Sequence, residues 1–387
     1  MLLSLLVVGI FGLITSTVFA GMVLAGARRH LRGHDASPGD FAPALSLLKP
    51  LHGSEPGLAA NLATFFEQNY PAAKFEILFC ARDLDDAGLA IAREVASRYP
   101  EIRSRFLSTG ESRYINAKVH SLEVMTAAAA HEILVISDSD VRVGPGYLSA
   151  VSAPFVEANV GAMTCLYRGV AAEGGVWARI EAVGMSVEMT AGVLVANLLE
   201  GMQFVLGPTM AIRRECVEQM GGLGILGDYC SDDYLLGNFV FRQGRRVVLS
   251  HYTIDHMVIN SSMVDSLKHQ VRWMKSTRFS RPKGHLGTAL TFSLPFGLLA
   301  LAAALAIGHP ALGAALFAWS IVTRWAIAWA AGDKVVRDPS WFGLYVLYPV
   351  RDLMGFGFWA ASYLSSRIVW RGKLYTLLPG GRMRAAE

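Results

Sequence analysis

Two carboxylates one residue apart stand at the end of a short apolar run. The run covers residues 133–136 and is rich in β-branched side chains, which predicts a buried strand. Asp138 and Asp140 follow it closely. Carboxylates this close repel each other unless a cation lies between them, and oxygen ligands of this kind suit Mg²⁺ or Mn²⁺. The pattern predicts a metal site at Asp138 and Asp140, although an ordinary polar turn contains the same residue types.

Asp83 and Lys118 are further candidates for binding a nucleotide diphosphate. Asp83 follows the apolar run at residues 75–80, and Asp86 suits the N-terminus of the next helix, which leaves Asp83 to contact a base or ribose. Lys118 begins the predicted helix at residues 117–130, where its ammonium group could approach a pyrophosphate. The alternative for Lys118 is an ordinary solvated lysine.

A pair of adjacent carboxylates, Asp232 and Asp233, precedes the helical stretch at residues 235–242. Ser231 could cap that helix, and an acidic side chain in the first turn would interact favourably with the helix dipole. This structural role explains one of the two carboxylates better than it explains both. If the loop closes over the same pocket, one of the pair could act as a general base. We predict this role for Asp233, with Asp232 as the second choice.

The stretch at residues 268–275 predicts a basic amphipathic helix that contains His269, Arg272 and Trp273. Lys, Arg and Trp side chains of this kind can anchor a helix at a membrane surface. Alternatively, the planar guanidinium group of Arg272 could bind a diphosphate while Trp273 forms an apolar wall for an acceptor. The residues alone support both interpretations equally.

Short apolar runs alternate with helical patterns in the part of the chain that must position these side chains. Such alternation predicts an α/β, Rossmann-like domain with a mostly parallel sheet and helices on both faces. Ligands of such a domain bind at the carboxyl ends of the strands, where the acidic residues lie. No glycine fingerprint follows the first strand and the chain has no P-loop, which argues against an oxidoreductase or a P-loop ATPase. The predicted strands are 45–48, 75–80, 102–107 and 133–136, and the predicted helices are 57–68, 86–98 and 117–130.

The composition indicates a membrane protein. Of 387 residues, 53% are apolar and 17% are charged, and the mean hydropathy of +0.37 is high for a soluble enzyme. The net charge of +4 suits a surface near anionic lipid. Because no basic patch is interleaved with aromatic residues, a nucleic-acid partner is not expected. The four cysteines are far apart and lack metal-ligand spacing, which indicates reduced thiols.

Apolar segments flank the predicted α/β domain on both sides. The first is followed at once by basic residues, which predicts an uncleaved anchor whose C-terminal flank is cytoplasmic. We therefore expect an integral protein of a bacterial inner membrane with its catalytic domain in the cytoplasm. The predicted order is an anchor at 1–27, a basic linker at 28–43, a catalytic domain at 44–264, an interfacial amphipathic helix at 265–284, transmembrane or re-entrant helices at 285–370, and a basic tail at 371–387.

Three apolar segments further along the chain could meet the bilayer. Residues 180–205 include acidic side chains, so we expect a helix lying against the membrane face of the catalytic domain rather than a span. Residues 286–307 and 311–331 predict a spanning hairpin. If residues 341–366 also span, the basic tail lies outside, against the positive-inside rule; a re-entrant or interfacial segment would avoid this conflict.

The acidic and basic motifs described above, which contain Asp83, Asp138 with Asp140, Asp233, and Arg272 with Trp273, resemble a known signature in their order and rough separations. It is the D, DxD, D, (Q/R)xxRW signature of family-2-like GT-A glycosyltransferases. The closer resemblance is to the ceramide glucosyltransferases and their bacterial relatives, including a hopanoid-linked group. The resemblance extends over nearly the whole chain. The matching stretches are Ser137-Asp138-Ser139-Asp140, Ser231-Asp232-Asp233-Tyr234, His269-Gln270-Val271-Arg272-Trp273, Lys49-Pro50-Leu51-His52-Gly53 and Trp370-Arg371-Gly372-Lys373.

The resemblance implies a GT-A fold and assigns the donor-binding residues. Asp83 would lie near the nucleotide, and Asp138 would contact the metal and the diphosphate, with Asp140 completing the pair. Arg272 would hold the diphosphate. His269 departs from the pattern, which has Gln or Arg at this position, but its imidazole could still donate a hydrogen bond to the diphosphate.

The same resemblance implies the activity. Asp233 would deprotonate an acceptor hydroxyl, Trp273 would shape the acceptor site, and Mg²⁺ or Mn²⁺ would be the cofactor. The enzyme would invert the anomeric carbon as it moves one sugar from a UDP-sugar to a membrane lipid, with glucose and ceramide as the family default. Alternatives are N-acetylglucosamine transfer to a hopanoid polyol, a processive polysaccharide synthase, and a membrane protein that binds a nucleotide sugar without turnover.

Overall fold

The computed structural model describes residues 1–33, 41–172, 175–259, 262–370 and 372–386. The predicted linker at 28–43 and the predicted tail at 371–387, with Arg371, fall partly outside the described residues. The α-helices are α1 (Leu2–Arg32), α2 (Leu58–Phe66), α3 (Ala87–Ala96), α4 (Ala117–Ala128), α5 (Tyr147–Ser152), α6 (Val176–Val183), α7 (Thr190–Leu199), α8 (Arg214–Gln219), α9 (Asp232–Arg242), α10 (Met263–Ser280), α11 (Pro282–Thr288), α12 (Leu294–Ala306), α13 (Pro310–Ile327) and α14 (Tyr348–Ala361).

A sheet of eight strands forms the centre of the catalytic domain, and a three-stranded sheet follows the last helix. The strands are β1 (Leu45–Pro50), β2 (Phe75–Ala81), β3 (Arg103–Ser108), β4 (Ile133–Ser137), β5 (Val141–Arg142), β6 (Val160–Ala171), β7 (Thr209–Arg213), β8 (Arg246–Val258), β9 (Arg367–Trp370), β10 (Lys373–Leu377) and β11 (Met383–Ala385). The large sheet has the order β3-β2-β1-β4-β7-β6-β8-β5. Its first four strands pair in parallel, as the alternating pattern predicts. Because β7 runs antiparallel to β4 and β6, the sheet as a whole is mixed.

The parallel half of the sheet is buried on both faces. Every residue of β2 and β4 is buried, which is why both strands are near-continuous apolar runs rather than alternating ones. α2 covers this half with Leu58, Leu62 and Phe65. The register places Leu48 opposite Ile136, so the carboxyl ends of β1 and β4 lie side by side. These two ends position the central residues of the candidate site.

Three described helices are long and apolar enough to cross a membrane, and a bent pair could make a fourth. They are Leu2–Arg32, Val176–Leu199 and Pro310–Val335, and the pair joins Pro282–Thr291 to Leu294–Ala306 at an angle of 46°. α1 packs along α12, where Gly9 allows the backbone of Ala300 to approach closely. The predicted hairpin at 286–307 and 311–331 is therefore present, but its first arm is bent rather than continuous.

A buried ion pair satisfies the backbone at this bend. Oδ2 of Asp352 accepts hydrogen bonds from the N–H groups of Ser293 and Leu294 at 2.9 and 2.8 Å. Nη1 of Arg324 lies 2.7 Å from Oδ1 of Asp352 and donates to the carbonyl oxygen of Thr291 at 3.0 Å. Backbone groups freed by a break within an apolar region must find partners in the protein. The ion pair supplies them, and this explains how the chain tolerates the bend.

The helical run Val176–Leu199 packs against the rest of the protein, and 61% of its most apolar 18-residue stretch is buried. A π-helical turn, Gly184–Met189, joins α6 to α7. Glu181 pairs with the side chains of Ser266 and His269, and Glu188 lies 2.9 Å from Arg351. The acidic side chains in this run therefore have protein partners, which removes the cost of exposing them to lipid.

The C-terminal sheet returns to the catalytic domain. The N–H group of Cys230 donates to the carbonyl oxygen of Gly381 at 3.1 Å, and that of Met383 donates to the carbonyl oxygen of Asp228 at 2.6 Å. The tail thus lies on the same side as the catalytic domain. A re-entrant or interfacial segment before the tail is consistent with this position, whereas a simple span would carry the tail away.

Candidate active site

Asp138 and Asp140 lie at the carboxyl end of β4 and line a cavity of about 440 Å³. Nζ of Lys118, on α4, is 2.5 Å from Oδ1 of Asp138. Nε2 of His256, on β8, is 3.2 Å from Oδ2 of Asp140. Each carboxylate therefore faces its own basic side chain, and the two predicted donor-binding residues Asp138 and Lys118 are brought into contact.

Lys49, at the end of β1, has no exposed surface and lies beneath the two carboxylates. Its Nζ donates to the carbonyl oxygen of Asp138 at 2.5 Å and lies 3.7 Å from the ring centroid of Phe65. Burial lowers the pKa of Lys49 to about 7, although Asp138 and Asp140 act in the opposite direction. From the protein interior, Lys49 therefore binds the backbone of the loop that contains Asp138 and Asp140.

The charges around the cavity are strongly coupled. Burial alone would lower the pKa of Lys118, but Asp138 and Asp232 outweigh it and raise the pKa. Burial would likewise raise the pKa of Asp140, but the pairing with His256 lowers it below its usual range. Both groups are consequently held in their charged forms at neutral pH.

The acidic pair fits a divalent cation that is shared with a bound diphosphate. Oδ1 of Asp140 is buried and has no hydrogen-bond partner, so one hard oxygen ligand is available. Within the described ranges, no group of three or more His, Cys, Asp and Glu side chains is arranged to hold a metal by itself. Mg²⁺ commonly binds to one or two carboxylates together with substrate phosphates, so Asp138 and Asp140 would be sufficient protein ligands for it.

Asp232 and Asp233 form the first turn of α9, close to the same charges. Oδ1 of Asp232 accepts from Nδ2 of Asn116 at 3.2 Å, and Oδ2 of Asp233 accepts from the N–H group of Gly207 at 2.9 Å. Burial and the charge of Asp232 raise the pKa of Asp233 to about 6. A carboxylate with such a pKa is a better proton acceptor near neutral pH than an ordinary aspartate.

Ser231 precedes α9 but its hydroxyl does not cap the helix, contrary to the prediction. The Ser231 hydroxyl instead lies 2.6 Å from that of Ser276 and 2.9 Å from that of Ser280, both on α10. This hydroxyl cluster joins the loop of Asp232 and Asp233 to the helix that bears the third motif. Side-chain partners on a packed neighbouring helix have replaced the local cap.

The residues of the third motif lie on α10 but do not line the cavity. Nδ1 of His269 is 2.9 Å from Oε1 of the buried Glu181, and the His269 ring lies 4.1 Å from that of Trp273. The guanidinium carbon of Arg272 lies 5.9 Å from the ring centroid of Trp370, and burial lowers the pKa of Arg272. The structure therefore places Arg272 beside the C-terminal sheet and His269 beside α6, with Trp273 next to His269.

Asp83 is a predicted donor-binding residue that lies on the protein surface. Its side chain is 62% exposed and its nearest ionic partner is Arg82, at 3.7 Å. Arg82 lines the cavity, whereas Asp83 does not. A role for Asp83 in binding the nucleotide remains a prediction.

Several residues of the site escaped sequence reasoning. Glu181 and His256 are separated from their ionic partners, His269 and Asp140, by at least 80 positions in the chain, so no local pattern marks them. A lysine that ends an otherwise apolar strand was a usable signal for Lys49. Lys373 and Tyr375 also line the cavity. They follow residues 341–366, and the sequence did not decide whether that segment spans the membrane or on which side of it the tail lies.

Known proteins resemble this chain over most of its length. The family model described as glycosyl transferase family 21 matches residues 8–383. Ceramide glucosyltransferase 1 of Caenorhabditis elegans is 23% identical over 363 residues, which cover 92% of this chain and 76% of that protein. Ceramide glucosyltransferase of Komagataella phaffii is 34% identical over 110 residues, or 27% of this chain and 21% of that protein.

Among solved structures, the mannosyltransferase PcManGT from Pyrobaculum calidifontis, in complex with GDP-Man and Mn²⁺, has a similar fold. The two chains superpose with a TM-score of 0.61 at 18% identity, over 92% of this chain and 98% of that one. The similarity confirms the GT-A fold predicted from the motifs.

Proposed function

Because this chain belongs to glycosyl transferase family 21, and is accordingly a membrane-bound glycosyltransferase, we propose that it moves one sugar from a UDP-sugar to a lipid hydroxyl. The sugar is glucose and the acceptor is ceramide, as the names of its relatives suggest. The observation that carries the proposal is the arrangement of Asp138, Lys118 and Asp232 with Asp233. Lys118 pairs with Asp138 and interacts electrostatically with Asp232 and Asp233, which supports a diphosphate site next to a candidate base.

The donor would bind in the cavity beside β4. Lys118 supplies positive charge toward the diphosphate from the cavity wall. The diphosphate roles of Arg272 and His269 are carried over from the family motif, because both residues lie on α10 outside the cavity lining. A bound Mg²⁺ or Mn²⁺, held by Asp138 and Asp140, would offset the charge that builds on the departing diphosphate. The Mn²⁺ in the complex of the archaeal mannosyltransferase supports a divalent cofactor here.

Asp233 would take the proton of the acceptor hydroxyl as its oxygen forms a bond to the anomeric carbon. The bond from that carbon to the diphosphate breaks on the opposite side, so that the configuration inverts and UDP leaves with the electron pair. Trp273 would form an apolar wall for the acceptor. The apolar helices that pack on the domain provide a route for a lipid, and we place the domain on the cytoplasmic side of a bacterial inner membrane.

The test is a transfer assay with the purified full chain in lipid bicelles. A panel of labelled UDP-sugars is offered with ceramide, and separately with a hopanoid polyol, in the presence of Mg²⁺ or Mn²⁺. We expect label from UDP-glucose to enter the organic phase as a single glycosylceramide. If label enters only the hopanoid, the acceptor is the hopanoid and not ceramide. A ladder of products indicates a processive synthase. A water-soluble product refutes lipid glycosylation.

A further inference from the structure

The C-terminal sheet forms one wall of the cavity that holds the acidic pair. Lys373 and Tyr375 are two residues apart on β10, so both side chains point to the same face of the strand. Both line the cavity together with Asp138 and Lys118. A segment that follows the last apolar helix thus contributes directly to the candidate donor site.

Lys373 lines this cavity and, unlike Lys118 and Arg82, is not paired with a carboxylate of the described residues. Lys118 pairs with Asp138, and Arg82 pairs with Glu111. For Lys373, no ion pair is formed with any residue in the part of the chain that the structure describes. A nucleotide diphosphate brings several negative charges into the cavity, and an exposed ammonium group at its wall can pair with them.

The wall is attached to the loop that carries the candidate base. The backbone bonds of Asp228 and Cys230 to β11 and the turn before it hold the sheet against this loop, and the guanidinium group of Arg382 lies 3.3 Å from the carboxylate of Asp228. Gly381 sits in this turn with φ of +82°, and a Cβ there would lie 2.4 Å from the hydroxyl oxygen of Ser280. The sheet is therefore positioned relative to α9 and α10 by close packing.

We infer that Lys373 is a donor-binding residue that contacts the diphosphate of the nucleotide sugar from the outer wall of the cavity. The assignment rests on the proposed function, because it takes a nucleotide diphosphate as the ligand. The C-terminal sheet thereby connects donor binding to the loop of Asp232 and Asp233 and to Arg272, which lies against Trp370.

The test compares Lys373→Met, Lys373→Arg and the control Arg384→Met in the full chain. Arg384 is an exposed residue of the same sheet that does not line the cavity. UDP binding is measured by titration calorimetry with Mg²⁺ present. We expect Lys373→Met to weaken UDP binding by about tenfold or more, the effect of losing one charge-assisted contact, while Lys373→Arg retains most of it and Arg384→Met matches wild type.

An unchanged UDP affinity in Lys373→Met overturns the assignment, as does an equal loss in Arg384→Met, which would indicate a general charge effect. Equal thermal unfolding midpoints of the variants without UDP exclude misfolding as the cause of a loss. A wild-type protein that binds UDP but glycosylates no lipid contradicts the proposed function alone, since the binding comparison still decides the role of Lys373. A wild-type protein that does not bind UDP contradicts both.

Discussion

The ammonium group of Lys118 lies 2.5 Å from Oδ1 of Asp138, and its charge acts on Asp232 and Asp233 as well. One lysine at the start of α4 therefore links the carboxylate at the end of β4 with the two carboxylates of α9. α4 and β4 are consecutive in the chain, whereas α9 is distant from both, and the charge of Lys118 acts on carboxylates of β4 and α9 alike. It joins the expected diphosphate site to the expected base.

Replacing Asp233 by Asn should lower the rate of transfer by about 10²- to 10⁴-fold, because general-base help is worth roughly that much. Binding of UDP should change little, since the amide can still accept from the N–H group of Gly207. Single-turnover rates and UDP affinities of Asp233→Asn and Asp232→Asn, measured side by side, check this. A larger loss of rate in Asp232→Asn would transfer the base role to Asp232.

The rate of transfer should fall as the pH drops below about 6. The pKa of Asp233 is raised to about 6 by burial and by the charge of Asp232, and a base must be ionised to accept a proton. Activity is thus full above this pH and is lost with protonation below it. The two carboxylates titrate together, so the observed midpoint belongs to the pair.

A profile of kcat from pH 5 to about 8 measures this acid limb. Asp232→Asn removes the negative charge that raises the pKa of Asp233, so the limb of this variant should move to lower pH. A limb that stays in place would show that Asp233 is not the group that titrates.

Glu181 and His269 should act as a unit. The buried carboxylate of Glu181 accepts from Nδ1 of His269 at 2.9 Å and thereby sets the orientation of the ring. Since His269 replaces the Gln or Arg of the family pattern, we expect Glu181→Gln to reduce kcat/KM more in the native background than in the His269→Gln background. The four proteins form a double-mutant cycle with an expected coupling of roughly 0.5–3 kcal/mol. Additive effects would contradict the coupling.

Asp352→Ala should destabilise the membrane-embedded part of the protein. The change leaves Arg324 without its ionic partner and frees the N–H groups of Ser293 and Leu294. Breaking a buried ion pair typically costs about 3–5 kcal/mol. Thermal unfolding in bicelles measures the loss, and Lys334→Met is the matched control because the Asp333–Lys334 pair is exposed and is worth about 0–1 kcal/mol. Equal midpoints for the two variants would refute the role of Asp352.

The alternating pattern was sufficient to predict the parallel half of the sheet and the strand end that carries Asp138 and Asp140. The helices that begin near Lys118 and Asp233 were also predictable, because apolar periodicity and helix-start residues are local signals. The bend at Ser293 was not predictable from the sequence, because Asp352 and Arg324, which form the hydrogen bonds to its backbone, lie on later helices. The antiparallel β7 likewise lacks a local signal for its direction.

By itself, the sequence determined the types of the elements, the apolar segments and the ordered acidic and basic motifs that indicate the family. Only the tertiary structure decided which charges meet: Lys118 with Asp138, His256 with Asp140, Glu181 with His269, and the approach of Lys373 to the cavity. The physical reason is that periodicity and capping act within a few residues, whereas these contacts depend on strand order and on how the C-terminal sheet packs. The buried Lys49 shows this most clearly, because its partner is the carbonyl oxygen of Asp138, just after a strand that is adjacent to β1 in the sheet and distant from it in the chain.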